Sequence, residues 1–358
     1  MNLDEILKKI WARVELSRPE IEFLLNQRAP QNTDKIFAGA RAMRKIFFGS
    51  KVFLYGFVYF STYCRNDCLF CYYRKSNWQP PRYRKSLEQI VETAICLKNS
   101  GVHLIDLTMG EDAFYINHPE KLINIVKNVK DATGLTIMVS PGLVEAGLID
   151  RLAAAGAEWL ALYQETHNEL LFNEIRINQD YQKRYQLKKY AQSQGMLVEE
   201  GILNGIGNDI MDIVDSLAVM KNLGAAQVRI MTFIPQSGTP MEYKANYGRD
   251  NSTPEFLTIA VMRLLFPHLL IPASLDIDGL KGLEKRLNSG ANVITSIIPP
   301  GRGYNGVASA YSDIDEGLRT VEGIQRTLNK CGLEKASAEE YKEWVKSKKP
   351  RKRKEARI

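Results

Sequence analysis

Eight short runs rich in β-branched and apolar residues, with amphipathic stretches between them, constrain this chain more than any other feature. They fall at 52–60, 104–108, 136–140, 159–164, 198–203, 228–233, 270–273 and 293–297. Most follow a turn signal such as Ser100-Gly101, Gly134, Gly156, Gly195, Gly224 or Gly290. Helical patterns lie between them, for example 86–98, with Ser86 placed to cap its N-terminus, and 209–223. Alternation of this kind predicts an α/β fold whose parallel sheet is covered by helices. Eight repeats with short connections favour a (β/α)8 TIM barrel, although an open doubly wound sheet fits the same local pattern.

The repeats set the expected boundaries. Residues 1–48 read as an N-terminal helical extension and 49–300 as the barrel. A Pro- and Gly-rich loop, IIPPGRGYNGVAS, then leads to a helix near 314–329 and a last short helix, so that 301–345 pack on the barrel. Residues 346–358, KSKKPRKRKEARI, carry eight Lys or Arg and one Glu, the whole of the net charge of +7. Such a terminal run is expected to be solvated and disordered. No run of about 18 apolar residues marks a membrane span, and the charged N-terminus lacks the apolar core of a signal peptide, so a cytoplasmic location is expected.

Polar residues recur where the strands end: Ser61-Thr62, Asp106, Thr108, Gly110-Glu111, Ser140, Gln164-Glu165, Arg229, Ser274, Asp276 and Thr295-Ser296. In a parallel barrel these ends share one face, and active sites lie there.

The first strand runs into STYCRNDCLFCYYR, with Cys64, Cys68 and Cys71 spaced C-x3-C-x2-C. The other two cysteines, Cys96 and Cys331, stand alone, so the chain has no disulfide framework. Three soft thiolates this close together point to iron–sulfur or zinc. Structural zinc needs a fourth ligand, and none of the four histidines (His103, His118, His167 and His268) lies in the loop, although zinc stays open. A [4Fe–4S] cluster held by three thiolates keeps one iron free for another ligand.

This loop, with Phe70 as its aromatic residue, resembles that of the radical S-adenosylmethionine superfamily. The resemblance implies that the free iron binds S-adenosylmethionine, whose reductive cleavage gives a 5′-deoxyadenosyl radical. It also implies an electron donor of the flavodoxin or ferredoxin type. DLTMGED after the second strand partly matches the segment that meets the methionyl ammonium, at Gly110 and Glu111, with Met109 in place of the first glycine. Tyr72, Ser140, Glu165 and Arg184 match further cofactor-binding positions of the biotin-synthase-like branch. An Arg suits the methionyl carboxylate because its planar fork pairs with both oxygens. Taken singly, Ser140 as a cap, Glu165 as a surface ion pair and Arg184 as a solvated side chain are the better readings; together, at the expected strand ends, the cofactor reading outweighs them.

The remaining strand-end residues suit an amino-acid substrate, since charges inside a barrel must be paired. Arg229 is placed to clamp an α-carboxylate, Asp276 with Ser274 an α-ammonium, and Asp106 a distal ammonium, with Thr295 and Ser296 adding hydrogen bonds. Two carboxylates against one Arg leave one negative charge in excess, as a substrate with two ammonium groups and one carboxylate prefers. The competing reading is an internal Arg–Asp salt bridge that closes the barrel.

The blocks FVYFSTYCRNDCLFCYYR, IDLTMGEDAFY, VSPGL, LALYQETH, VEEGILNGIGNDI, VRIMTFIPQSGTP, LIPASLDIDG and NVITSIIPP are similar to the 3-methylornithine synthases of pyrrolysine biosynthesis. That likeness spans the whole predicted barrel. It implies isomerisation of L-lysine to (3R)-3-methyl-D-ornithine, through fragmentation of a lysyl radical and recombination at a different carbon. A small-molecule substrate, no nucleic acid, no membrane and a monomer are the expected partners. A hydrogenase maturase or amino-acid lyase of the same branch is the nearest rival. Biotin-synthase-type sulfur insertion needs more cysteines on the strands than Cys96 and Cys331 supply. A zinc protein that binds RNA through the basic tail is the rival from another class.

Overall fold

The computed structural model describes residues 1–244, 253–276, 278–299 and 318–350. Eight parallel strands follow one another in space almost as in sequence: β1 (Lys51–Ser61), β2 (Leu104–Met109), β3 (Thr136–Ser140), β4 (Ala157–Ala161), β5 (Leu197–Asn204), β6 (Gln227–Thr232), β7 (Pro272–Ser274) and β8 (Val293–Ile297). The pairing of β8 with β1 rolls the sheet into a barrel and removes the doubly wound alternative. The seam between β6 and β7 is closed only by a bridge, Gln227 to Leu270, so the barrel is nearly rather than fully closed.

β1 is apolar almost without interruption and so is buried on both faces, alternate side chains going to opposite sides. Val52, Leu54, Val58 and Phe60 pack outward among the helices, while Phe53, Tyr55, Phe57 and Tyr59 line the interior. Helix boundaries are chemically marked. Ser86 and Asp209 close capping boxes on the helices Leu87–Ser100 and Ile210–Leu223, and Gly101 and Gly224 end them in the left-handed conformation.

Two strands differ from the sequence expectation. β4 stops at Ala161 because the chain turns inward, reaching Glu165 at φ +69 and pairing again only at the bridge Glu165–Ile202. β7 begins at Pro272, after the bridging Leu270.

The N-terminal helices Leu3–Trp11, Arg18–Leu25 and Pro30–Phe48 cover the outside of the barrel, the last against the helix Thr253–Leu265. Arg44, buried in that contact, donates to the carbonyls of Ala291 (3.1 Å) and Leu287. The described C-terminal region holds the helices Val321–Lys330 and Ala338–Lys348 and a two-residue strand, β9 (Glu334–Lys335), beside β1. Of the loop expected after Ile297, residues 300–309 lie outside the described residues, as do 314–317 of the helix expected near 314–329; the described helix begins only at Val321, where the Thr320 side chain caps it. Lys346–Lys348, expected in a disordered tail, instead complete the helix Ala338–Lys348, because that helix plugs the base of the barrel. Trp344 stacks on Trp159 with centroids 6.0 Å apart, and the Tyr341 hydroxyl meets that of Tyr55 at 2.9 Å. Lys349 pairs with Glu158 at 2.7 Å. The expectation for 351–358 falls outside the described residues. Among the described residues no helix is long and apolar enough to cross a membrane.

Candidate active site

The base is filled by aromatic side chains, so chemistry is confined to the opposite end, where the cysteine loop leaves β1. The Arg65 N–H donates to the Glu111 carbonyl (2.9 Å), and the Leu69 N–H to that of Ile175 (2.8 Å). Arg82 donates to the carbonyls of Thr62, Tyr73, Arg74 and Asn77, wrapping the loop around one guanidinium. Gly110 is needed here for space: a Cβ would stand 2.3 Å from the Tyr63 carbonyl oxygen and 3.0 Å from the Cys64 Cβ.

Cys64, Cys68 and Cys71 share this loop. Burial pushes the Cys64 thiol up to about 11. Burial, followed by the neighbouring Cys68 and Cys64, raises that of Cys71. Sulfurs arranged this way bind as thiolates only to a group that brings its own positive charge. The Asn66 N–H donates to Cys64 Sγ at 3.4 Å, and Gln179 Nε2 to Cys68 Sγ at 2.9 Å, contacts suited to anionic sulfur. Among the described residues, no three His, Cys, Asp or Glu converge on the position of a single metal ion. A cubane binds each thiolate at a separate iron, and three thiols on one loop fit that demand.

The expected cofactor residues gather beside the loop. Glu111 Oε1 takes hydrogen bonds from Arg184 Nη1 (2.8 Å) and the Leu143 N–H (2.9 Å), and Oε2 faces Arg65 at 3.4 Å. Burial opposes its charge, but Arg184 and these donors hold its pKa below the usual carboxylate value. Arg184 is buried rather than solvated: Nη2 donates to the Tyr163 carbonyl at 2.9 Å, and Nε has no partner. Glu165 is buried rather than at the surface; its Oε1 pairs with Arg176 Nη2 at 2.7 Å, while Oε2 has no partner and burial raises its pKa. Ser140 donates to the Ala161 carbonyl at 3.3 Å, and the Tyr72 carbonyl accepts from Asn77 Nδ2 at 2.9 Å.

Sequence reasoning missed Arg176 and Gln179. Arg176 lies 5.4 Å from the Phe70 ring and reaches Cys68 Sγ at 3.8 Å, so it ties the cysteine loop to Glu165. The two are far apart in sequence, and only a basic residue in a buried helix end hinted at the link.

The second expected set divides into two groups. Asp276 Oδ2 accepts from Ser296 (2.6 Å) and Ser274 (3.3 Å), and Oδ1 from Arg319 (3.1 Å). Ser296 adopts φ +66, a strained conformation for a non-glycine residue, and its hydroxyl is tied to Asp276. The Thr295 hydroxyl is buried without a partner among the described residues. Arg229 pairs through Nε with Glu199 at 2.7 Å and faces the Tyr163 ring at 5.5 Å. Asp106 accepts from Thr108 at 2.8 Å, and burial, then the Glu199 charge, pushes its pKa up to about 7. An internal salt bridge to Arg229 therefore exists, but its partner is Glu199. Glu199 and Arg319 were not anticipated. The signal for Glu199 was two adjacent acids, VEEGILN, in the middle of a core strand, which need partners.

A parallel barrel with a three-cysteine loop after its first strand, and with charged groups at its strand ends, defines a radical S-adenosylmethionine enzyme. The sequence profile of the Radical SAM superfamily matches residues 58–234. Over 340 residues the chain is 41% identical to the 3-methylornithine synthase of Methanosarcina acetivorans, covering 95% of this chain and 96% of that one. It is 31% identical over 293 residues to the [FeFe] hydrogenase maturase subunit HydE of Thermotoga maritima, covering 81% and 82%. A crystal structure of methylornithine synthase superposes with a TM-score of 0.90 at 40% identity, over 95% of this chain and 99% of that one. The chain belongs to the radical SAM superfamily and, within it, to the family of the 3-methylornithine synthases. Its cofactors are a [4Fe–4S] cluster and S-adenosylmethionine, and it is an enzyme that acts on a small molecule.

Proposed function

We propose that the chain isomerises L-lysine to (3R)-3-methyl-D-ornithine. The observation that carries this reading is the likeness to 3-methylornithine synthases along nearly the whole chain. When bound, the cluster and S-adenosylmethionine supply a carbon radical that removes a hydrogen from the substrate. The protein supplies binding, orientation and exclusion of water. Cys64, Cys68 and Cys71 hold the cluster. Tyr72, Gly110, Glu111, Ser140, Glu165 and Arg184 line the cofactor's side of the site.

On the substrate side, Arg229 takes the α-carboxylate, Asp276 with Ser274 and Ser296 the α-ammonium, and Asp106 the distal ammonium, with Thr295 at hand. Charge balance supports this assignment. Glu199 and Arg319 add one charge of each sign, so three carboxylates face two guanidiniums and the excess of one negative charge persists. Lysine, with two ammonium groups and one carboxylate, neutralises that excess.

A low-potential flavodoxin or ferredoxin as reductant, a cytoplasmic location and a monomeric chain complete the proposal. Anaerobic incubation of reconstituted enzyme with lysine, S-adenosylmethionine and reductant tests it. The expected product has the mass of lysine and a different retention time. Consumption of tyrosine with lysine untouched refutes it.

A further inference from the structure

Glu199 has no ligand-contacting role in the assignment above, yet it forms a 2.7 Å ion pair with one of its members, Arg229. It lies on β5 and is wholly buried. Strand alternation turns Glu200 outward to Lys188 on the helix Tyr181–Ser193 and Glu199 inward to Arg229 on β6. The contact is side-on: Glu199 Oε1 takes Arg229 Nε at 2.7 Å. Among the described residues, Arg229 Nη1 meets only the Met231 sulfur, at 3.8 Å, a weak acceptor. Among the described residues the Nη edge of the guanidinium therefore has its strong donors unspent, while its Nε is tied to Glu199.

We infer that Glu199 is a positioning residue, which fixes the Arg229 guanidinium by its Nε so that its Nη edge presents a fork to the α-carboxylate of the substrate. This rests on the proposed lysine substrate. Burial works against the Arg229 charge, and Glu199 leads the neighbouring groups that more than offset it, so the cation persists at any working pH. Asp106, Asp276, Tyr55 and Tyr163 also surround this pair, and Glu199 influences the titration of Asp106, Tyr55 and Tyr163. Gln227 stands in register beside Glu199, buried, with both amide atoms unpartnered, and supplies a polar flank on the same face. A fixed fork costs less ordering on binding than a free one, so its orientation contributes directly to affinity.

The test compares lysine with 1,5-diaminopentane, which keeps both ammonium groups and lacks the carboxylate. Affinities are measured by anaerobic calorimetry on the reconstituted enzyme loaded with S-adenosylmethionine. Wild type is expected to prefer lysine by about 10- to 100-fold, the value of a charge-assisted fork. In Glu199→Ala this preference falls to near unity, and both ligands lose in common the attraction of one buried negative charge for their ammonium groups. Glu199→Gln, which keeps an acceptor for Nε, is expected to lie between, and it stands in if the Ala variant fails to fold, as judged by melting temperature and iron content. Weakening of both ligands by the same factor, with the preference for lysine intact, reports the loss of a charge without loss of the fork, and overturns the positioning role. An unchanged preference in both variants overturns it as well. Wild type without any preference for lysine removes the carboxylate clamp itself, and with it the lysine reading.

Discussion

Glu111 Oε1 and Arg184 Nη1 meet at 2.8 Å, buried, though they lie 73 residues apart in the chain. The pair joins the end of β2 to the helix that precedes β5, directly beside the cysteine loop. Removing one partner of a buried pair strands the other charge, at a cost of about 3–5 kcal/mol. Arg184→Met is therefore expected to lower stability by about that amount and to weaken S-adenosylmethionine binding. Chemical denaturation of the apoprotein and equilibrium binding to the reconstituted enzyme check the two effects. Arg184→Met that unfolds like wild type would show that Glu111 is satisfied by Leu143 and Arg65 alone.

Asp106 links the site to pH. Burial first, and then the negative charge of Glu199, raises its pKa to about 7, against an unfolded value of about 4. A raised folded-state value means that its contribution to stability is full below about pH 4 and is lost as pH rises towards about 7. Substrate binding runs the other way, because an ammonium group prefers the ionised form. Lysine affinity is expected to rise between about pH 6 and 8, with proton release on binding at the lower end. Calorimetry in buffers of different ionisation enthalpy measures that release. Asp106→Asn should remove both the release and the pH dependence.

The strands and the cysteine loop were legible because their signals are local. β1 shows its burial on both faces through an unbroken run of apolar residues, and three cysteines within eight residues need no partner elsewhere to be noticed. The turn after β4 was not legible: WLALYQ reads as one continuous strand, but the chain leaves the ladder after Ala161, where the Gln164 N–H turns to the Glu200 carboxylate and Glu165 pairs with Arg176. Glu199, Arg176 and Arg319 escaped for the same reason. Each owes its role to a partner distant in sequence, and a charged residue read alone is most simply a solvated one. Asp276, by contrast, was found because Ser274 stands two residues away, but the guanidinium that neutralises it is contributed from beyond β8.

Gly110 offers a test of how closely the cysteine loop is seated. A methyl group there would collide with the Tyr63 carbonyl oxygen, a backbone atom that cannot rotate aside. Gly110→Ala is expected to cost about 1–3 kcal/mol through forced displacement of the loop. The displacement falls on Cys64, so the variant should also reconstitute with less iron and acid-labile sulfide than wild type. Normal iron content together with normal stability would show that the loop has slack to move.

Lys188 and Glu200 form a second buried pair, on the outer face of β5, and Glu200 does more than neutralise the amine. Its Oε1 accepts the N–H groups of Gln164 (2.9 Å) and Gly201 (3.0 Å), which pins the turn that carries Glu165. Burial disfavours its charge, but Lys188 and then His167 lower its pKa to about 2. A lowered value contributes stability that is present above the unfolded pKa of about 4 and is lost as pH falls toward 2. Lys188→Met leaves that carboxylate without its cation and is expected to cost about 3–5 kcal/mol. Glu200→Gln keeps an acceptor for Gln164 and Gly201 while discarding the charge. In the double variant neither charge is buried, so much of the loss should return, and the coupling between the two substitutions should reach about 1–3 kcal/mol. Denaturant titration of the four proteins measures this cycle. Additive losses would mean that Glu200 is stabilised by its backbone donors and owes nothing to Lys188.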